Sequence, residues 1–167
     1  AEYPLMLVSL VLWHYRLTAD QDYLSVNFDR VCRLLDVYRR DYEKDGLLRD
    51  LDKWCVVEWP DNYRDGYDVD LSGGKVCHET HVVMNAHYIE SVRNVNLMAS
   101  ALGLPPYRDI SLLVSAFTEA FYDSGRHLFT DSVTSSHISY IGNIFPFAYM
   151  LCPNEECERA VLKMIRA

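Results

Sequence analysis

Trp54-Cys55-Val56-Val57-Glu58-Trp59-Pro60-Asp61-Asn62-Tyr63-Arg64-Asp65-Gly66-Tyr67-Asp68 separates two long helical patterns and decides how the chain reads. Two Trp, two Tyr, an Arg and several carboxylates crowd into this crossover. It lies within an irregular stretch, 43–77, punctuated by Gly46, Pro60, Gly66, Gly73 and Gly74. A loop of that length inside a compact domain is functional or disordered, and its aromatic density argues against disorder. Flat rings beside acids, amides and a guanidinium suit a neutral sugar. The rings cover C–H faces and the charged groups bond hydroxyls in pairs. The competing reading is a structured loop whose aromatics plug the ends of a helical bundle.

Outward from the crossover, six helices are expected and no strand. The first spans about 4–17. Leu5, Met6, Leu7, Val8, Leu10, Val11, Leu12 and Trp13 make it apolar on nearly every face, the pattern of a helix buried all round. In the second, about 20–42, Leu24, Phe28, Val31, Leu35, Tyr38 and Tyr42 form one stripe, with Arg30, Arg33, Asp36, Arg39 and Arg40 off it. Thr18 or Asp20 can cap its start.

The third helix, about 78–102, carries Val82, Ala86, Ile89, Val92, Val95, Ala99 and Leu102. It should stop at Gly103, before Pro105 and Pro106. The fourth covers about 106–123. The fifth, about 135–151, contains Pro146, which implies a kink or a late start. The sixth begins at Pro153 or Asn154, with Glu155 and Glu156 in its first turn. The fold expected is all-α: three αα-hairpins, arranged as a toroid with inner helices around an axis and outer helices facing water. No sequence repeat accompanies the architectural one.

The 167 residues suffice for one domain with a real core, and 50% of them are apolar. Net charge is −8 and no basic stripe occurs, so nucleic acid is not an expected partner. The apolar run of residues 3–19 is interrupted by Arg16 and followed by Asp20, too short for a membrane span. The chain opens inside one helical pattern and stops inside another, so a piece of a longer protein is expected, and compartment is not legible. Cys32, Cys55, Cys77, Cys152 and Cys157 follow no zinc or redox spacing and read as small hydrophobes. His78-Glu79-Thr80-His81 with His87 is not H-E-x-x-H, and His87 falls on another face. No metal or other cofactor is expected. No G-x-S-x-G occurs either.

Four groups of residues together resemble a known family. Glu2-Tyr3-Pro4, an apolar helix and Leu17-Thr18-Ala19-Asp20 resemble its "helix, then T-G-D" opening. Val57-Glu58-Trp59-Pro60 and Arg64-Asp65-Gly66-Tyr67-Asp68 resemble "D-W-P … R-D-G-Y-D". Thr80, Asn85-Ala86 and Ala99-Ser100-Ala101-Leu102-Gly103 resemble the helix that follows. Phe129-Thr130-Asp131, Ser136-His137-Ile138-Ser139, Gly142-Asn143 and Pro153-Asn154-Glu155-Glu156 resemble "F-x-D … S-x-H-x-S … A-N … p-e-e". The order is similar to the six-hairpin, (α/α)6-barrel domain of bacterial α-L-rhamnosidases, which are inverting glycoside hydrolases. Glu58 stands where Asp is commoner, Ala19 replaces Gly, and Gly142 replaces Ala.

The resemblance implies a barrel of twelve helices, of which this chain supplies about half. It implies a general acid upstream in "R-D-E-R-x-G-W-x-G-D" and a general base downstream on "W-E", so neither catalytic carboxylate is expected here. The partner implied is a rhamnose-containing oligosaccharide or glycoside. The alternative from another class is a non-catalytic helical module that binds carbohydrate or protein. An open half-toroid would also expose inner faces near Leu7, Leu10 and Trp13, which self-association or a swapped dimer would cover.

Six residues are the candidates for substrate binding, each with a structural alternative. Trp59 is the first choice for a ring against sugar; otherwise it packs beneath the rim. Glu58 bonds hydroxyls or orients Arg64; otherwise it forms a partly exposed salt bridge of little worth. Arg64 and Asp65 are more simply a pair that shapes the loop. Tyr67, like Tyr63, lines the cleft or plugs the loop, with plugging preferred. His137, expected to begin the fifth helix, either bonds a hydroxyl or caps. Asn143, on a buried-looking helix, is expected to satisfy backbone groups.

Overall fold

The computed structural model describes residues 2–55, 57, 65–67 and 76–166. Six helices carry the fold: α1 (Glu2–Thr18), α2 (Gln21–Asp41), α3 (Val82–Ala101), α4 (Ser111–Phe121), α5 (Tyr140–Ala148) and α6 (Glu155–Ile165). They form three hairpins. α1, α3 and α5 pack side by side in one row, and α2, α4 and α6 each lie on the helix that precedes them. This is the inner and outer arrangement expected of part of an (α/α)6 toroid.

Local chemistry sets each boundary. Asp20 is the cap of α2: its Oδ1 accepts from Tyr23 N at 2.8 Å. Ala19, in the hairpin turn, takes a left-handed φ of 56°, which explains why glycine suits this place in the family pattern. α3 ends as Gly103 adopts φ 70° and Leu104 N reaches back to Ala99 O at 2.8 Å. α4 starts later than its apolar pattern suggests. The half-buried amide of Asn96 bonds both Arg108 N and Arg108 O, and Asp109 receives Ser111 N, which holds the preceding segment out of the helix. α5 likewise begins at Tyr140 rather than near 135, because Ser139 is extended and its hydroxyl caps Gly142 N at 3.0 Å. Pro146 sits inside this late helix, and His137 lies before it.

Two expectations fail. Strands are present: β1 (Glu43–Lys44) pairs with β2 (Leu47–Leu48), β3 (Lys53–Trp54) with β4 (Val76–Cys77), and β5 (Tyr122–Asp123) with β6 (Leu128–Phe129), all antiparallel. Each is two residues long, too short for any alternation of side chains to register in the sequence. The β1–β2 turn places Asp45 and Gly46 at φ 53° and 79°, the Asp-Gly hairpin signature. A Cβ on Gly46 would lie 2.9 Å from Ala116 Cβ, so this turn packs hard on α4.

The second failure concerns α1. It is not buried all round: Leu5, Val8, Val11 and Leu12 are inside, but Tyr3, Met6, Leu7, Leu10, Trp13 and Leu17 are exposed, Leu10 by 64%. Among the described residues, α1 lies at one end of the inner row and packs chiefly on α2 and α3. The helix buried almost throughout is α3, in the middle of the row, whose buried residues include the polar Asn85, His87, Ser91 and Asn94. Among the described residues, no helix is long and apolar enough to cross a membrane.

A candidate substrate-cleft rim

The three inner helices bring their N-terminal ends to one rim, and the crossover segment is fastened across it. At α1, the Glu2 carboxylate is buried and accepts Val57 N at 2.7 Å and the Cys55 thiol at 3.1 Å. Burial alone would raise its pKa. The hydrogen bonds from Val57 and Cys55 outweigh that and hold it at about 2.

At α3, the cap residue His81 is buried, with Nε2 3.3 Å from Cys55 Sγ and Nδ1 2.8 Å from Tyr67 Oη. The Tyr67 hydroxyl accepts Val83 N–H at 3.2 Å. Tyr67 is 5% exposed, and its hydroxyl also lies 3.2 Å from Asp131 O.

At α5, Asp131 organises the rim. It is fully buried. Oδ1 accepts both the backbone N–H of Ser139, at 3.0 Å, and its hydroxyl, at 2.7 Å. Oδ2 lies 2.6 Å from His137 Nδ1. The carboxylate fixes Nδ1 of His137 as the protonated nitrogen and leaves Nε2 for another partner. The imidazole is partly exposed and packs toward Gly66, where a Cβ would lie 3.5 Å from Nε2. Arg126, paired with Asp123 at 2.7 Å, donates to Ser136 O and braces the same segment.

The six sequence candidates divide as follows. Glu58, Trp59 and Arg64 lie outside the described residues. Asp65, Tyr67 and His137 are brought together at the α5 end of the rim. The Asp65 carboxylate receives Tyr140 N, the first amide of α5. Tyr67 is turned inward, and His137 is the one of these three with both ring exposure and an unengaged nitrogen among the described contacts. Asn143 bonds Phe129 N and O and Ser139 O, satisfying backbone groups. Glu2, Cys55 and His81 were not singled out as site residues. Cys55 gave no sequence signal, and the burial of Glu2 depends on a partner segment distant in the chain. Asp131 did carry a signal, its fixed spacing to His137 and Ser139. Among the described residues, no three His, Cys, Asp or Glu side chains are grouped to hold a metal ion.

A groove of about 410 Å³ lies away from this rim, between α1, α3 and the end of α5, lined by Ser9, Trp13, His87, Asn94 and Tyr149 among others. Burial lowers the pKa of His87 to about 4, and its Nδ1 faces Tyr149 Oη at 3.0 Å.

Helical hairpins in an inner and an outer row, with long crossovers gathered at one rim, define a six-hairpin glycosidase type of domain. The family described as bacterial alpha-L-rhamnosidase 6 hairpin glycosidase domain matches residues 1–167, and this chain belongs to it. No curated protein matches. Solved structures do. A GH78 family rhamnosidase of Bacillus sp. GL1 has a TM-score of 0.75 at 13% identity, with 96% of this chain covered and 16% of that one. A rhamnosidase from Klebsiella oxytoca with rhamnose bound has a TM-score of 0.73 at 14% identity, with 99% and 30% covered. The Streptomyces avermitilis alpha-L-rhamnosidase complexed with L-rhamnose has 0.61 at 19% identity, with 93% and 14% covered. The chain thus spans well under half the length of each.

Proposed function

We propose that this chain is the substrate-cleft portion of an inverting glycoside hydrolase that removes terminal α-L-rhamnosyl residues, with its general acid and base supplied by residues outside 1–167. The family match over the whole chain carries this reading, and the rhamnose-bound state of two structural relatives supports it. In such a reaction one carboxyl protonates the leaving oxygen. A second, roughly 6.5–9.5 Å away, activates a water on the opposite face of the sugar. The rim contributes by position. His137 Nε2 bonds a sugar hydroxyl, the Trp59 ring covers a C–H face, and Glu58 and Arg64 bond hydroxyls. Glu2, Cys55, His81 and Tyr67 hold the crossover at the helix ends, and Asp65 fixes it to α5. Placement of this kind supplies a large share of a rate enhancement.

The test is hydrolysis of an aryl α-L-rhamnoside by the full-length protein. Turnover with inversion at the anomeric carbon is expected, and none by residues 1–167 alone. Trp59→Ala and His137→Ala should each lower kcat/KM for this substrate. Turnover by 1–167 alone at an ordinary glycosidase rate would overturn the division of labour. The exposed row Tyr3, Leu7, Leu10 and Trp13 on α1 further supports self-association of the isolated chain.

A further inference from the structure

We propose that Asp131 is a positioning residue for the substrate: it holds His137 so that Nε2 offers a lone pair at the rim, and the site thereby selects a ligand hydroxyl that donates a hydrogen bond. The assignment rests on the reading of this rim as a rhamnosyl-binding cleft, and it adds the direction of one hydrogen bond and the residue that fixes it.

Asp131 grips His137 at two points. Its N–H donates to His137 O at 3.0 Å, and its Oδ2 lies 2.6 Å from His137 Nδ1. Ser135 Oγ accepts His137 N at 2.9 Å and tightens the same loop. The carboxylate cannot turn away. Its Oδ1 is taken by the N–H and the hydroxyl of Ser139, and the whole residue is buried. A carboxylate accepting at both oxygens calls for the ring proton on Nδ1. In the neutral ring Nε2 is then an acceptor only.

That nitrogen is accessible. The His137 side chain is 44% exposed, and no hydrogen bond to Nε2 occurs among the described residues. Beside it lies Gly66, at φ 64°, where a Cβ would be 3.5 Å from Nε2 and from Cε1. The approach is therefore flanked by backbone, and the bond from Tyr140 N to Asp65 keeps that backbone in place.

A lone pair held this way discriminates between substituents of similar size. A hydroxyl donates to it, whereas fluorine can only accept. Asparagine at position 131 would reverse the polarity. Its oxygen must still accept Ser139 N, so its NH2 group turns to Nδ1. The ring proton then moves to Nε2, which becomes a donor.

The experiment measures Kd of the full-length protein for L-rhamnose and its 2-, 3- and 4-deoxyfluoro analogues, by calorimetry at about pH 8 to keep imidazole neutral. In wild type at least one analogue should bind about tenfold more weakly than L-rhamnose. His137→Ala should erase the penalty at one such position and leave the others. Asp131→Asn should erase or invert the penalty at that same position, which a general loosening of the rim would not confine to one hydroxyl. His137→Ala leaves the bonds of Asp131 to Val82 and Ser139 in place, and it decides whether Nε2 accepts even where Asp131→Asn does not fold. The proposal is overturned if every penalty survives His137→Ala, or if folded Asp131→Asn keeps the wild-type pattern. Wild type that binds no L-rhamnose overturns the cleft reading and this assignment together, whereas binding with penalties unmoved in the variants overturns this assignment alone.

Discussion

α1 and α3 invert what their compositions suggest. α1 is the greasier sequence, yet one of its faces is open to solvent. α3 carries Asn85, His87, Ser91 and Asn94, yet it is buried almost throughout. Burial follows position in the inner row, and α3 has a neighbour on each side where α1 has one. Buried polar groups are tolerable in α3 because each has a partner. Asn85 bonds Leu48 N at 2.7 Å, Leu48 O and His81 O. Ser91 bonds Leu5 O and His87 O. Asn94 bonds Ser9.

The contrast can be broken most severely in the core. Met98→Ala in α3, where no surface is exposed, should lower stability by about 2–5 kcal/mol, whereas Leu10→Ala in α1 should stay within about 0.5 kcal/mol. Chemical denaturation measures both, and equal losses would erase the distinction. Acid probes it next. His87 is held neutral in the fold, its pKa depressed from 6.5 to about 4. Above pH 6.5 it has no effect on stability. As pH falls from 6.5 to 4 the unfolded chain takes up a proton that the folded chain refuses, which should destabilise by about 3 kcal/mol. His87→Gln should flatten that part of a stability-versus-pH curve. Glu2 acts lower: its contribution is complete above about 4.5 and is lost as pH falls toward 2.

Asn85→Ala strands the Leu48 backbone groups and should lose about 1–3 kcal/mol, measured by the same denaturation series. The smallest change belongs to the α1–α2 turn. Ala19→Gly relieves a left-handed alanine and should raise stability by about 0.5–1 kcal/mol, a melting-temperature increase. On the exposed face of α1, Leu10→Glu with Trp13→Glu should leave the helix folded and convert associated chains to monomers by light scattering. A wild-type chain that is strictly monomeric would remove that expectation.

Much of the fold was legible because it rests on local rules. The stripes of α2 and α3, the Asp20 cap, the Gly103 stop and the acidic first turn of α6 all depend on neighbours a few residues apart. The α4 and α5 starts were not, since Asn96 and Asp131 reach across from elsewhere to delay them. The α1 error has the same origin: an apolar helix announces that it can be buried, and only tertiary position says where. At the rim, His137 and Asp65 were singled out as candidates through the spacing of their motifs. The Glu2–Cys55–His81–Tyr67 chain escaped notice because it joins α1, the crossover and α3, which no sequence window contains.

Asp131 starts two helices at once. Its backbone carbonyl receives Val82 N at 2.9 Å at the head of α3, while its carboxylate receives the Ser139 cap of α5. One aspartate is thus a common bearing for both, and neither can slide along the other without unseating it. Any opening of this side of the rim would have to swing the pair as a unit, carrying His137 along at a constant angle to both axes.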